Sequence, residues 1–216
     1  MTKSTENPYM DLVPIRKSKL QPDTAIHLAP VPRNVYPIIG QIAVYHGEME
    51  RHLNRINSAL MAALPDEENK SWENQHFRHR CSLFERKSGE LFNDHPEISK
   101  KFRQIANEIR LRHAQRAIVV HGQYVGVFPK SGPTRFEVIA KPYRDRLIFE
   151  FTEDDLDTIF HEMVMLVGTL SSLCDDTPDR VFSSHDKQTL RDRLSSHLPD
   201  LANLPTLPHR QISSPK

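Results

Sequence analysis

Cysteine, glycine and long apolar runs are scarce in this chain, and each scarcity excludes a class of protein. Two cysteines, Cys81 and Cys174, are too few for a disulfide framework, so a reducing compartment and a role as small core residues are expected. Seven glycines form neither a phosphate-binding loop nor a dinucleotide fingerprint. No apolar run approaches the roughly 18–20 residues that span a bilayer, so no membrane partner is expected.

An excess of one charge sign is also missing. Twenty-nine basic and 28 acidic residues give a formal net charge of +1, which offers no global electrostatic reason to bind nucleic acid. Any anion site is therefore expected to be local. The first residues lack the apolar core of a secretory signal, and the expected location is the cytoplasm.

Proline is concentrated toward the two ends, which predicts a folded centre between two irregular arms. Five prolines lie within residues 1–35, where no helical period survives, and this stretch is expected to be a disordered arm. Residues 36–175 are expected to form the folded domain. Residues 176–216 are expected to be mostly disordered, with a short helix at 186–198.

Apolar residues recur every three or four positions through much of the centre, which predicts amphipathic helices. The first covers about 36–64, the second about 71–92 and the third about 94–120. Asp94 and Glu97 resemble a capping box at the start of the third helix, and Gly122 is its predicted stop. A fourth long helix follows Thr152, its predicted N-cap.

The pattern changes between the third and fourth helices. Residues 124–128, 135–140 and 147–151 are rich in β-branched and aromatic residues and are separated by turn residues, which predicts a three-stranded antiparallel β-meander. The expected fold class is therefore mainly α. It is an antiparallel bundle of about four long helices, with the small meander inserted before the last long helix.

Arg116 interrupts the apolar stripe of the third helix. Four apolar residues begin the stripe, and the next steps of three or four reach two arginines: Ile98, Phe102, Ile105, Ile109, Arg112 and Arg116. Such an arginine must be paired or must face a cleft, because charged side chains are rarely buried alone. Either this fold contains internal ion pairs, or the helix lines a site that binds an anion.

Arg116 and His121, together with Arg112 and Glu50, form the candidate site. Arginine offers a planar, permanent cation that suits phosphate, and histidine can move a proton near neutral pH. Together they suffice for metal-free phosphodiester cleavage, in which one group handles the proton and the other stabilises the charge developing on phosphorus. No cofactor and no metal is expected.

The segment R-A-I-V-V-H at 116–121 resembles the R-x4–6-H motif of the HEPN superfamily, whose helical-bundle members include many metal-independent RNases. The glycine and strand that follow, and the glutamate at Glu50 in a long first helix, are similar to bacterial HEPN-like proteins. The resemblance covers about residues 36–175. It implies an endoribonuclease in which Arg116 stabilises the phosphate, His121 transfers the proton and Glu50 orients one of them. Arg112 is the candidate substrate-binding residue.

The same resemblance implies a homodimer with the two motifs facing each other across the interface. Residues five apart on an ideal helix differ by roughly 140° in direction. Arg116 and His121 are therefore expected to meet one phosphate only where the helix unwinds near Val120 or where two subunits combine. RNA is the expected substrate, and a protein partner or an antitoxin is a further candidate.

A non-catalytic interpretation stays open beside this one. The chain would then be a helical-bundle binding or scaffold protein in which Arg112, Arg116 and Glu50 form internal ion pairs. His121 would only cap the last carbonyl groups of the helix. Ala117 favours this alternative, because active HEPN members often carry a polar residue directly after the arginine.

Two other histidine patterns give weaker indications. His76 and His79 have a spacing that metal ligands use, but no cysteine or carboxylate cluster accompanies them, which favours a solvated helix face. His46 lies near the stripe of the first helix and is expected to be a core or interface histidine with satisfied hydrogen bonds.

Overall fold

Five helices make up most of the part of the chain that the structure describes. In the computed structural model, the described residues are 16–19, 31, 33–64, 71–128, 135–139, 147–174 and 187–197. The helices are α1 (Tyr36–Ala63), α2 (Phe77–Leu91), α3 (Pro96–His121), α4 (Glu153–Leu173) and α5 (Lys187–Ser196). The prediction of a mainly helical bundle is confirmed. None of these helices combines the length and the apolar composition that crossing a bilayer requires.

Helix α1 packs against all four other helices. Its buried apolar residues follow the predicted spacing, and each is at most 1% exposed: Ile42, Met49, Leu53, Ile56 and Leu60. Full burial of one such side chain contributes about 1.5–3 kcal/mol relative to leaving it in water. Cys81 and Cys174 are buried in the apolar core and form no disulfide, as predicted, and burial raises the pKa of Cys81 to about 12.

The described strands form one antiparallel sheet of four strands, where the sequence predicted three. They are β1 (Arg16–Lys19), β2 (Gln123–Phe128), β3 (Arg135–Ile139) and β4 (Leu147–Thr152), in the order β1-β4-β3-β2. Strand β1 comes from the arm that was predicted to be disordered. Its backbone runs antiparallel to β4, with Arg16 opposite Glu150 in the register. The sequence R-K-S-K lacks the apolar alternation that predicts a strand. Backbone hydrogen bonding to an open sheet edge does not require that alternation.

A second apolar cluster connects this sheet to the end of α3. Val138, Phe149 and Phe151 from the sheet are buried with Ile118 and Val119 of α3. Tyr124 reinforces the junction, because its hydroxyl donates to the Val119 carbonyl at 3.0 Å. This packing fixes the last turn of α3, which carries the candidate site.

Two predicted helix starts differ from the structure. Helix α2 begins at Phe77 rather than near 71, after a 3₁₀ turn at Trp72–Asn74 and two extended residues. These extended residues allow both Trp72 and Phe77 to reach buried positions. Helix α3 begins at Pro96 with His95 as its N-cap, and the predicted capping box is not formed. Asp94 instead accepts a hydrogen bond from Arg191 of α5, which lowers the pKa of that carboxyl group.

The predicted cap of α4 and the predicted short C-terminal helix are both confirmed. The Thr152 hydroxyl accepts from the Asp155 backbone N–H at 3.2 Å, and the Asp155 carboxylate accepts from the Thr152 N–H at 2.7 Å. In α5, Leu190 and Leu194 are buried against the bundle. Leu198, the third predicted apolar position of that helix, lies outside the described residues.

Gly122 ends α3 for a reason that differs from the predicted one. Its backbone is extended (φ −68°, ψ 159°), so no left-handed conformation requires glycine here. The requirement is steric. A Cβ atom at this position would lie 2.0 Å from Val138 Cγ1 and 2.3 Å from the Ile118 carbonyl oxygen.

Gly122→Ala is therefore expected to lower the free energy of unfolding by about 1–3 kcal/mol, the usual cost of forcing an extra methyl group into a packed site. Urea denaturation measures it. Gly47→Ala is the matched control: no atom lies within 4 Å of its added Cβ, and the helix propensity of alanine should stabilise α1 by about 0.5–1 kcal/mol. Equal stabilities for the wild type and Gly122→Ala would contradict the steric explanation.

Candidate functional site

Arg116 and His121 contact each other at the C-terminal end of α3. Arg116 is partly buried and His121 is exposed, and Nη1 of Arg116 hydrogen-bonds to Nε2 of His121. The helix stays intact through His121, so the two side chains come together within one chain without unwinding of the helix. The long arginine side chain spans the turn, and a helical side chain leans back toward the N-terminus, which brings His121 toward Arg116.

Arg116 has no carboxylate partner among the described residues. Its one hydrogen bond there goes to His121, and its Nε atom is buried without a partner. The ion pair between Arg116 and Glu50 that the alternative interpretation predicted is not formed, because Arg80 binds the Glu50 carboxylate. An arginine cation in partial burial without a counter-charge favours the approach of an anion.

Arg112 is the centre of a separate, buried network. It is 2% exposed and donates to Glu108 of α3 at 2.8 Å, Glu162 of α4 at 2.5 Å and Gln115 at 2.7 Å. Burial raises the pKa of Glu108 even though Arg112 acts to lower it. The substrate-binding role that the sequence suggested for Arg112 does not fit this position, because the guanidinium is enclosed and both of its Nη atoms donate to neighbouring side chains.

Glu50 contacts neither motif residue and instead joins α1 to α2. Its Oε2 accepts from Nη2 of Arg80 at 3.2 Å, and its Oε1 lies 3.5 Å from Nδ1 of His46. Arg80 also donates to Asn54 at 2.7 Å. The predicted orienting effect of Glu50 on the motif therefore has to pass through Arg80 or His46.

Two histidines face each other beside this ion pair. Nε2 of His46 on α1 lies 2.9 Å from Nδ1 of His113 on α3. The Phe77 ring stacks on His113 at a centroid distance of 4.1 Å and an interplanar angle of 15°. Burial is the main cause that lowers the pKa of His46 to about 3 and the pKa of His113 to about 4. Both imidazoles are thus neutral at physiological pH.

We call these six side chains the polar cluster: His46, Glu50, Arg80, His113, Arg116 and His121. Arg116, Arg80 and His121 each act electrostatically to lower the pKa of His46 and of His113, so all three side chains lie near these two histidines. With neutral imidazoles, two arginine cations face one carboxylate. The excess positive charge suits an anionic ligand, and the histidines supply groups that exchange protons or bind a metal ion.

One group of the described residues has the composition and spacing of a metal site. The ligand atoms of His46, Glu50 and His113 all lie within 4.8 Å of one another. His76 and His79, the pair weighed from the sequence, are exposed, and their ring centroids are 6.4 Å apart. They show no third ligand among the described residues, which agrees with a solvated face.

Arg80 and His113 were not predicted from the sequence to belong to a site, and His46 was predicted to be a core or interface histidine. A signal for two of them was present: His46 precedes Glu50 by four positions, and His113 precedes Arg116 by three, so each pair shares a helix face. No sequence signal indicated that α2 would bring Arg80 to Glu50, because this contact depends on how α2 packs against α1.

Comparison with protein-family models, with curated proteins and with solved structures gives no match for this chain.

Proposed function

We propose that this chain is a metal-independent endoribonuclease in which Arg116 binds the scissile phosphate and His121 transfers a proton. One observation carries the proposal. At the exposed end of α3, an arginine without a carboxylate partner among the described residues hydrogen-bonds to an exposed histidine. A phosphodiester supplies the missing negative charge, and the histidine next to it supplies the proton transfer.

The proposed reaction starts from the tautomer of His121 that fits its contact with Arg116. A guanidinium can only donate hydrogen bonds, so in this tautomer Nε2 of His121 accepts from Arg116 and Nδ1 carries the proton. A phosphate that binds Arg116 draws the guanidinium away from the ring. The lone pair of Nε2 is then available to a substrate hydroxyl group.

In the proposed reaction, the 2′-hydroxyl oxygen attacks phosphorus while its proton passes to Nε2 of His121. The bond between phosphorus and O5′ breaks, and the imidazolium returns the proton to the leaving oxygen. The products are a 2′,3′-cyclic phosphate and a 5′-hydroxyl group. Arg116 stabilises the negative charge that develops on the phosphoryl oxygens.

The other members of the polar cluster have supporting roles in this proposal. Glu50 holds Arg80 and contacts His46, which lies against His113. Through these contacts it positions the basic wall beside Arg116. The resemblance also implies a homodimer, in which two such ends of α3 would line one RNA groove. A protein partner, such as an antitoxin, would act by covering that groove.

Arg116→Ala and His121→Ala are each expected to lower the rate of RNA cleavage in EDTA, about 10²–10³-fold for the arginine and about 10²–10⁴-fold for the histidine. Cleavage of a mixed RNA substrate measures both. Arg103→Ala and His161→Ala are the matched controls, since these side chains are 67% exposed on α3 and α4 and lie outside the polar cluster. Equal activity of the folded Arg116→Ala variant and the wild type would contradict the proposal.

The second candidate function is a non-catalytic binding or scaffold bundle. Ala117, which follows the motif arginine directly, and the buried network of Arg112 favour it. A wild type that cleaves no RNA, with an Arg116→Ala variant that folds normally, would support this candidate.

A further inference from the structure

The inner part of the polar cluster combines ligands from two helices at metal-binding distances. His46 and Glu50 lie four residues apart on α1, and His113 approaches them from α3. Nε2 of His46 lies 2.9 Å from Nδ1 of His113, and Glu50 Oε1 lies 3.5 Å from the other ring nitrogen of His46, Nδ1. One ligand atom from each of the three residues lies within 4.8 Å of the other two. Two ligands of tetrahedral zinc, each about 2.0–2.1 Å from the ion, are about 3.4 Å apart, so rotations of the side chains by about 1 Å bring the three atoms to one ion.

We propose that His46, His113 and Glu50 bind a transition-metal dication, with Zn²⁺ as the best-fitting ion. Two imidazole nitrogens and one carboxylate oxygen are a ligand set that zinc accepts, with solvent completing the tetrahedron. Imidazole ligands favour zinc, copper, iron and nickel over magnesium and calcium, which prefer oxygen. The site is distinct from the contact between Arg116 and His121 and does not depend on the proposed RNase activity.

The position of one ligand is set by the core, because His46 is 4% exposed. Nε2 of His46 and Nδ1 of His113 share a hydrogen bond, so one of these two nitrogens carries a proton. A metal ion between them replaces this proton, which moves to the other nitrogen of the same ring or to solvent.

The groups around the ligands hold them in place. Arg80 binds Glu50 through Oε2, while Oε1 lies on the side of His46. Phe77 stacks on the His113 ring and restricts its rotation. Such outer contacts orient metal ligands, and their removal commonly lowers metal affinity about 10–100-fold.

The two nearby arginines distinguish a metal site from a cluster that only stabilises the fold, because they should weaken the binding of a cation. Arg116 and Arg80 both act electrostatically on His46 and His113, so they repel a dication at this position. Arg116→Gln removes one cation without removing a ligand. It is therefore expected to increase the affinity for Zn²⁺, whereas Arg116→Gln would lower the affinity for an anion.

Calorimetric titration of the whole chain with Zn²⁺ alone tests the site. We expect the wild type to bind one equivalent of zinc. The affinity for zinc should fall more than about tenfold in Glu50→Gln and in His113→Gln, and it should rise in Arg116→Gln. Circular dichroism checks that each variant is folded. The double variant His76→Gln/His79→Gln controls for surface histidines and should bind as the wild type does.

Three results would overturn the inference: no zinc bound by the wild type, unchanged binding in folded Glu50→Gln and His113→Gln, or loss of binding in the His76/His79 control. The titration contains no RNA, so a protein that binds no zinc would contradict the metal site and would leave the RNase proposal unaffected.

Discussion

Arg112→Met is expected to lower the free energy of unfolding by about 3–5 kcal/mol, the usual cost of removing one partner from a buried ion pair. Arg112 is 2% exposed, and its loss leaves Glu108 and Glu162 facing each other across α3 and α4 without a cation. Burial already raises the pKa of Glu108 while Arg112 is present. The carboxylates would therefore have to take up a proton or separate the helices. Urea denaturation at pH 7 measures the change.

A matched substitution and a compensated variant separate this effect from the loss of side-chain packing. Arg103→Met on the same helix affects a 67% exposed arginine, and its unfolding free energy should change by less than about 0.5 kcal/mol. Replacing Glu108 and Glu162 by glutamine in the Arg112→Met background should recover part of the loss. A loss under about 1 kcal/mol for Arg112→Met would refute the view that Arg112 is structural.

The unfolding free energy is expected to fall by about 2–3 kcal/mol between pH 6 and pH 5, because His46 and His113 are neutral in the folded chain. Burial lowers the pKa of these groups to about 3 and about 4, below the value of 6.5 for an exposed histidine. Between pH 6.5 and 4 the unfolded chain therefore binds more protons. The stability present above pH 6.5 is lost as the pH falls, by about 1.4 kcal/mol per pH unit for each histidine.

His113→Gln isolates one of the two protons in this experiment. The variant should lose about half of the pH slope, whereas His161→Gln, which changes an exposed histidine of α4, should keep the slope of the wild type. Denaturant titrations at several values between pH 7.5 and 5 supply the comparison. A slope that is the same in His113→Gln and the wild type would contradict this account, because it would show that the pKa of His113 is the same in the folded and the unfolded chain.

The helices could be predicted because their information is local. The spacing of Ile42, Met49 and Leu53 identifies one face of α1, and Thr152 and Asp155 alone define the start of α4. Strand β1 could not be predicted, because its place depends on the open edge of β4, far away along the chain. Asp94 was misassigned for a similar reason. Its partner is Arg191, and this contact exists only when α5 packs on the bundle.

The site could be predicted in part. Arg112, on the apolar stripe of α3, is enclosed in ion pairs as one of the two interpretations of the sequence required. The partner of Glu50 could not be predicted from the sequence, because Arg80 reaches Glu50 only through the packing of α2 against α1. His113 was missed since its role depends on His46 from another helix.

Cleavage of a ribo-oligonucleotide in EDTA, beside its all-deoxy counterpart of the same sequence, tests the central claim most directly. The proposed reaction needs the 2′-hydroxyl group and no metal ion. We predict that the wild type cleaves the RNA, leaves 2′,3′-cyclic phosphate and 5′-hydroxyl ends, and does not cleave the DNA. No cleavage of either strand, or cleavage only after a divalent metal is added, would contradict the account.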